Sequence, residues 1–258
     1  MNSDLVRVSV VKYLNSIPFV YGLQRSSGRL GLDISVDTPA ECARKLKAGE
    51  ADIGLIPISE FGAIPGGYIL GDYCIGADGP VYSVCLASEL PVGELRRIYM
   101  DPHSRTSVNL VKVLARDYWK MDFDWLDAEE GFEQEKIEGT TGGVVIGDKV
   151  FGIAGRYNYQ YDLAETWKKM TGLPFVFAAW VSNRNFDESW KDGFNQALAG
   201  GVGSIQNALD EYPYNDKLKG VDLFDYLTNK ISYRLDNKKR AGMALFLKKL
   251  KEFNQDPK

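Results

Sequence analysis

Polar and apolar positions along the chain switch between a period of two and a period near 3.6, and the switches mark the elements. Residues 6–11 (VRVSVV) form a β-rich run, Asn15-Ser16 punctuates it, and a helical stretch follows through residues 21–25. Residues 32–36 (LDISV) predict a second strand. Thr38, Pro39 and Glu41 then spell a helix start: a hydroxyl at the cap, proline in the first turn and a carboxylate three residues on. That helix covers residues 40–48 and stops at Gly49, and residues 52–57 (DIGLIP) read as a third strand. The order strand, helix, strand, helix, strand favours a parallel sheet with right-handed crossovers.

The same order returns downstream. Strands are expected at 97–100, 123–126 and 143–146, with a strong helix over 106–119 and a weaker one over 132–137. The duplication is one of architecture: laying residues 49–53 over 141–145 matches element order more than residues. After a helix at 163–170, residues 173–181 (LPFVFAAWV) are the most apolar run, and Pro174 suits an edge or crossing strand. Helices follow at 187–199, 202–212, 218–229 and 237–253, the first broken by Gly200-Gly201, while 231–235 reads as a last strand or a helix lead-in. The sum is an α/β fold of two βαβ lobes facing a central cleft, with a helical C-terminal tail. Lobe one takes residues 1–88 and 182–258, lobe two takes 89–181, and the substrate cleft lies between them.

Composition narrows the chemistry. With 258 residues, 45% hydrophobic and 26% charged, the chain can bury a core without covalent staples. A net charge of -4 with Lys and Arg dispersed argues against nucleic-acid partners. Cys42, Cys74 and Cys85 lack metal or disulfide spacing. The single histidine, His103, excludes a His-rich metal cage and any Ser/His/Asp triad elsewhere. No apolar stretch reaches the ~20 residues a bilayer requires, and the N-terminus has no signal-peptide pattern. The expectation is a cytoplasmic protein acting on a small molecule, with no cofactor, metal or membrane partner; oligomeric state is not legible.

Ligands in open α/β sheets sit beyond the carboxyl ends of strands, at helix N-termini. Two strand-to-helix turns qualify: the one from Tyr13 to Pro18, and Ser104-Arg105-Thr106-Ser107. Free N–H groups there favour anions, and Arg105 adds a fork that fits a carboxylate. Asn15 and Ser104 read equally as helix caps. Ser83 follows the Gly79-Pro80 turn at the start of a β-rich run, as a site residue or an ordinary strand residue. Asp148 ends the strand at 143–146, where a cap is the default. The alternating Tyr157, Tyr159 and Tyr161 suit a strand edge or a cleft rim.

These residues carry a resemblance. YLNSIPFVYGL, GEADIGLIPISE, DGPVYSV, SRTSV, IGD and W-K-x-x-T-G-L-P-F-V-F-A-x-W, spread over about residues 6–182, are similar to the chorismate dehydratases of the futalosine route of menaquinone biosynthesis. The resemblance implies a type II periplasmic-binding-protein-like fold and a lyase that converts chorismate to 3-[(1-carboxyvinyl)oxy]benzoate by losing water. It implies Asn15 and Ser83 as catalytic residues, with the anion site at Ser104, Arg105, Thr106 and Ser107, and it assigns nothing to His103; Ser16, on the first turn, and Asp148, at the strand end, are expected to bind substrate with them. The naphthoate synthase of the same pathway opens with a cysteine- and proline-rich turn, which YLNSIP does not match. A non-catalytic binding protein for a small carboxylate is the alternative in another class.

Overall fold

The structure is a computed structural model that describes residues 5–212, 218 and 220–255. The chain opens with β1 (Val6–Val11), α1 (Ile17–Leu30), β2 (Leu32–Asp37), α2 (Pro39–Lys47), β3 (Ile53–Pro57) and β4 (Tyr68–Ala77). Next come β5 (Val84–Ser88), β6 (Arg97–Met100), α3 (Thr106–Leu114), β7 (Asp124–Asp127), α4 (Phe132–Glu135), β8 (Thr141–Ile146) and α5 (Lys149–Gly152). The remainder is β9 (Tyr159–Asp162), α6 (Leu163–Thr171), β10 (Phe175–Ser182), α7 (Glu188–Val202), α8 (Ile205–Asp210), α9 (Leu223–Asp225), β11 (Ser232–Arg234) and α10 (Asn237–Gln255). Local chemistry explains several boundaries. Thr38 Oγ1 accepts from the Glu41 N–H at 3.3 Å, as the cap pattern predicts, and Gly31 closes α1 in the left-handed conformation at φ 64°.

Two compact units result. The first contains described residues 5–76, 176–212 and 222–236; the second contains 77–175, 218, 220–221 and 237–255. The first is built on a six-stranded sheet, β11-β4-β10-β3-β1-β2, in which β1 runs parallel to β2 and β3 while β10 is antiparallel to β3. The second is built on a five-stranded sheet, β7-β6-β8-β5-β9, in which β6 is parallel to β7 and β8 while β5 is antiparallel to β8 and β9. Each sheet thus has three parallel strands and an antiparallel strand beside the third. The residue match proposed for the repeat is displaced, however: Ile53 opens β3, whereas Val145 lies near the end of β8.

The expected lobe boundaries move for physical reasons. β5 leaves lobe one because its hydrogen bonds go to β8 and β9. β10 joins the first sheet by pairing with β3. α10 belongs to the second unit, where Phe246 packs on Trp167 and Phe175 with ring centroids 6.0 and 5.0 Å apart. Gly200-Gly201 does not break α7. A Cβ on Gly201 would stand 1.9 Å from the Pro18 carbonyl oxygen and one on Gly22 would stand 2.1 Å from that of Ala197, so these glycines let α1 and α7 cross backbone to backbone. The helix expected over 106–119 ends as α3 at Leu114 and continues as one wide turn, Ala115–Trp119. Residues 231–235 contain a strand, β11, and the helix expected over 218–229 shortens to α9 and a wide turn, with residue 219 outside the described residues. β4 has no counterpart in the sequence reading.

Candidate active site

In the first unit β1 ends at Val11, and a short turn, Leu14–Ser16, leads directly into α1. Ser16 is buried and its hydroxyl donates to the carbonyls of Tyr13, at 2.7 Å, and Val11. It therefore ties the turn to the strand end. Asn15 does something different. Its side chain caps nothing, and its Oδ1 is buried without a hydrogen-bond partner among the described residues. An acceptor left in that state costs about 1–3 kcal/mol, so the turn holds an unmet demand for a donor. Beside it lies a cavity of about 340 Å³ lined in part by Lys12, Tyr13, Ser16, Ile17 and Tyr21. Lys12 makes no ion pair among the described residues.

The second unit gathers the other sequence-predicted residues at one end of its sheet. β6 and β8 are parallel and finish there, while antiparallel β5 begins there, with Val84 opposite Ile146. Ser83 is buried just before β5, and its carbonyl accepts from the Gly147 N–H at 2.8 Å. That bond joins the DGPVYS and IGD segments. After β6, Ser104 Oγ accepts from the Ser107 N–H at 3.1 Å, so Ser104 caps α3. Thr106 and Ser107 are buried, whereas Arg105 is exposed at the helix N-terminus and pairs with no carboxylate among the described residues. Asp148 stands at the N-cap position of α5 without bonding to that helix through its side chain.

The sequence reading missed three groups here. Asp101 is buried; its Oδ1 accepts from the His103 N–H at 2.9 Å and its Oδ2 from Lys149 Nζ at 3.2 Å. The third is Asp162, whose Oδ2 accepts from the N–H groups of Val81 at 2.7 Å and Tyr82 at 2.8 Å. DPHSRTS and IGDK contain the first pair, but no local pattern says that they meet. His103 itself is half-buried next to the turn. Asp78, in the DGPVYS segment, pairs with Lys168 at 2.6 Å. Tyr159 and Tyr161 lie on the sheet's edge strand, β9, with rings stacked 6.1 Å apart. Burial pushes the Cys85 thiol up to about 12, which makes it unreactive. Among the described residues no group of three or more His, Cys, Asp or Glu could hold a metal ion, and no helix is long and apolar enough to cross a membrane.

Comparison with known proteins adds a family and a fold. The family described as "Menaquinone biosynthesis" matches residues 6–252. A chorismate dehydratase from Thermus thermophilus is 26% identical over 271 residues, covering 90% of this chain and 95% of that protein. Among solved structures, a protein from Archaeoglobus fulgidus superposes with a TM-score of 0.75 at 14% identity, over 99% of this chain and 100% of that one. A Candida albicans protein described as having the generic periplasmic-binding-protein fold superposes with a TM-score of 0.64 at 13% identity, over 98% and 91% of the two chains. The fold is thus mixed α/β with two sheets, of the periplasmic-binding-protein kind, with a helical C-terminal region.

Proposed function

The chain belongs to the menaquinone-biosynthesis family, and on that premise we propose that it dehydrates chorismate to 3-[(1-carboxyvinyl)oxy]benzoate. The observation that carries this reading is the buried, unpartnered Oδ1 of Asn15 on the turn after β1. Chorismate's ring hydroxyl is a donor of the kind that oxygen lacks. The named Thermus thermophilus relative supports the choice of substrate.

Asn15 is no base, because an amide carbonyl is far too weakly basic near neutral pH; it orients by accepting and donating hydrogen bonds. Within the second unit, Arg105 and the first-turn N–H groups of α3 make a turn suited to a carboxylate. The substrate's own enolpyruvyl carboxylate removes the ring proton beside the hydroxyl-bearing carbon. The C–H electron pair becomes a ring double bond as the neighbouring C–O bond breaks. The departing hydroxide takes the proton from the new carboxylic acid, leaves as water and restores the carboxylate. Aromatisation drives the step, so the protein's task is to hold the reacting groups in place.

Purified protein mixed with chorismate, followed by mass and ultraviolet absorbance, tests the reading. Loss of one water with the appearance of a benzoate spectrum is expected. Chorismate bound but unchanged supports a carboxylate-binding protein instead, and no binding discards the substrate.

A further inference from the structure

Tyr82 is held in a backbone conformation that its own side chain disfavours. Its φ is 61°, in the left-handed region that glycine enters freely and a tyrosine does not. Its surroundings block relaxation. Val81 and Ser83 on either side are each 1% exposed. The N–H groups of Val81 and Tyr82 both donate to Asp162 Oδ2, and the Ser83 carbonyl accepts from Gly147. Asp162 is fixed in turn, because its Oδ1 accepts from the N–H groups of Ala164 and Glu165, each at 3.0 Å, at the start of α6. One carboxylate therefore ties this turn to a helix end.

The outcome is a tyrosine that is 55% exposed at the end of the sheet where Ser83 and the Ser104–Ser107 turn also lie. Glycine at this position would relieve the backbone, and a large ring contributes most when buried. Strain of this kind persists where the fold over-determines it, and it gathers at ligand sites.

We propose that Tyr82 is a substrate-contacting, specificity-determining residue of the second unit, its ring packing on the ring of the cyclic carboxylate, with Asp162 as the positioning residue that holds it out. The inference rests on the dehydratase reading. Ring-on-ring packing has a geometric preference that an acyclic carboxylate of the same charge cannot meet.

Steady-state kinetics on chorismate and thermal unfolding of the wild type, Tyr82→Gly, Tyr82→Asn and Tyr82→Phe test it. Tyr82→Gly is expected to raise KM about tenfold, the loss of roughly one aromatic contact, with a smaller change in kcat. Tyr82→Phe retains the ring and is expected to keep KM near the wild-type value. Asparagine also tolerates the left-handed backbone, so Tyr82→Asn gives the same KM reading should the glycine variant fold poorly. Unchanged KM in both the Gly and Asn variants overturns the inference, as does a Phe variant that loses as much as they do. A wild type that leaves chorismate unchanged sinks the dehydratase reading, and this inference with it; an active wild type with kinetically silent variants sinks the inference alone.

Discussion

Asn15 and Ser16 are neighbours on one turn with opposite demands. Ser16 spends its hydroxyl on main-chain carbonyls, while Asn15 keeps a buried oxygen without a donor. Replacing Asn15 by Ala removes that unmet acceptor, so the protein is expected to be no less stable while turnover falls about 10²-fold, the scale of a misplaced reactant, with KM little changed. Single-turnover kinetics beside thermal melting checks both halves. Equal turnover in the variant would show that the orphan oxygen has no part in the reaction. Lys149 is the opposite case. Truncating it to Met leaves Asp101 buried without its cation, and about 3 kcal/mol of stability is expected to be lost. Pairing that change with Asp101→Asn should recover much of the loss in denaturant unfolding, because the uncompensated charge is then gone.

At the scale of elements, adjacent glycines in α7 divide by environment. Gly201 faces the α1 backbone at a distance no Cβ tolerates, whereas nothing lies within 4 Å of a Cβ placed on Gly200. Gly201→Ala is therefore expected to force the helices apart at a cost of about 3 kcal/mol. Gly200→Ala is expected to stabilise the helix by up to about 1 kcal/mol through reduced backbone entropy. Urea unfolding of the two variants should give opposite signs, and matching signs would mean that helix propensity alone governs the position. Glycine spacing in the sequence reads as a break, because a local pattern cannot show that a second helix backbone occupies the space.

Across the whole molecule, partly and fully buried carboxylates set the response to acid. Burial alone would raise Asp37, but hydrogen bonds from Lys45, Ser35 and Ser9 outweigh it and hold the carboxyl below its usual range. Burial is likewise outweighed at Asp52 by Arg7, and at Asp117 by Arg116 and Lys249. A folded value below the unfolded one, about 3.9 for Asp, means that the stability is present above the unfolded value and is lost as pH falls through the folded value. Asp162 carries the opposite sign: burial raises its carboxyl against four N–H bonds, so it favours folding as it takes up a proton and offsets part of the loss. The net expectation is a melting temperature that drops below about pH 4, with Asp37→Asn flattening the drop. A pH-independent melting temperature in that range would refute the assignment.

The sequence by itself determined the elements whose causes are local. The short β-rich runs became β1, β2, β3 and β8, the Thr38-Pro39-Glu41 signature became the start of α2, and the two polar turns fell at strand ends ahead of α1 and α3. Tertiary structure alone decided which strands share a sheet, which unit claims α10, and which side chains meet. Asp101 and Lys149 are 48 residues apart, and Asp162 reaches Tyr82 across 80. The physical reason is one of range. Hydrophobic period and capping chemistry act within a turn or two of chain, whereas strand pairing, helix docking and ion pairing are decided by surfaces that come together only when the chain folds.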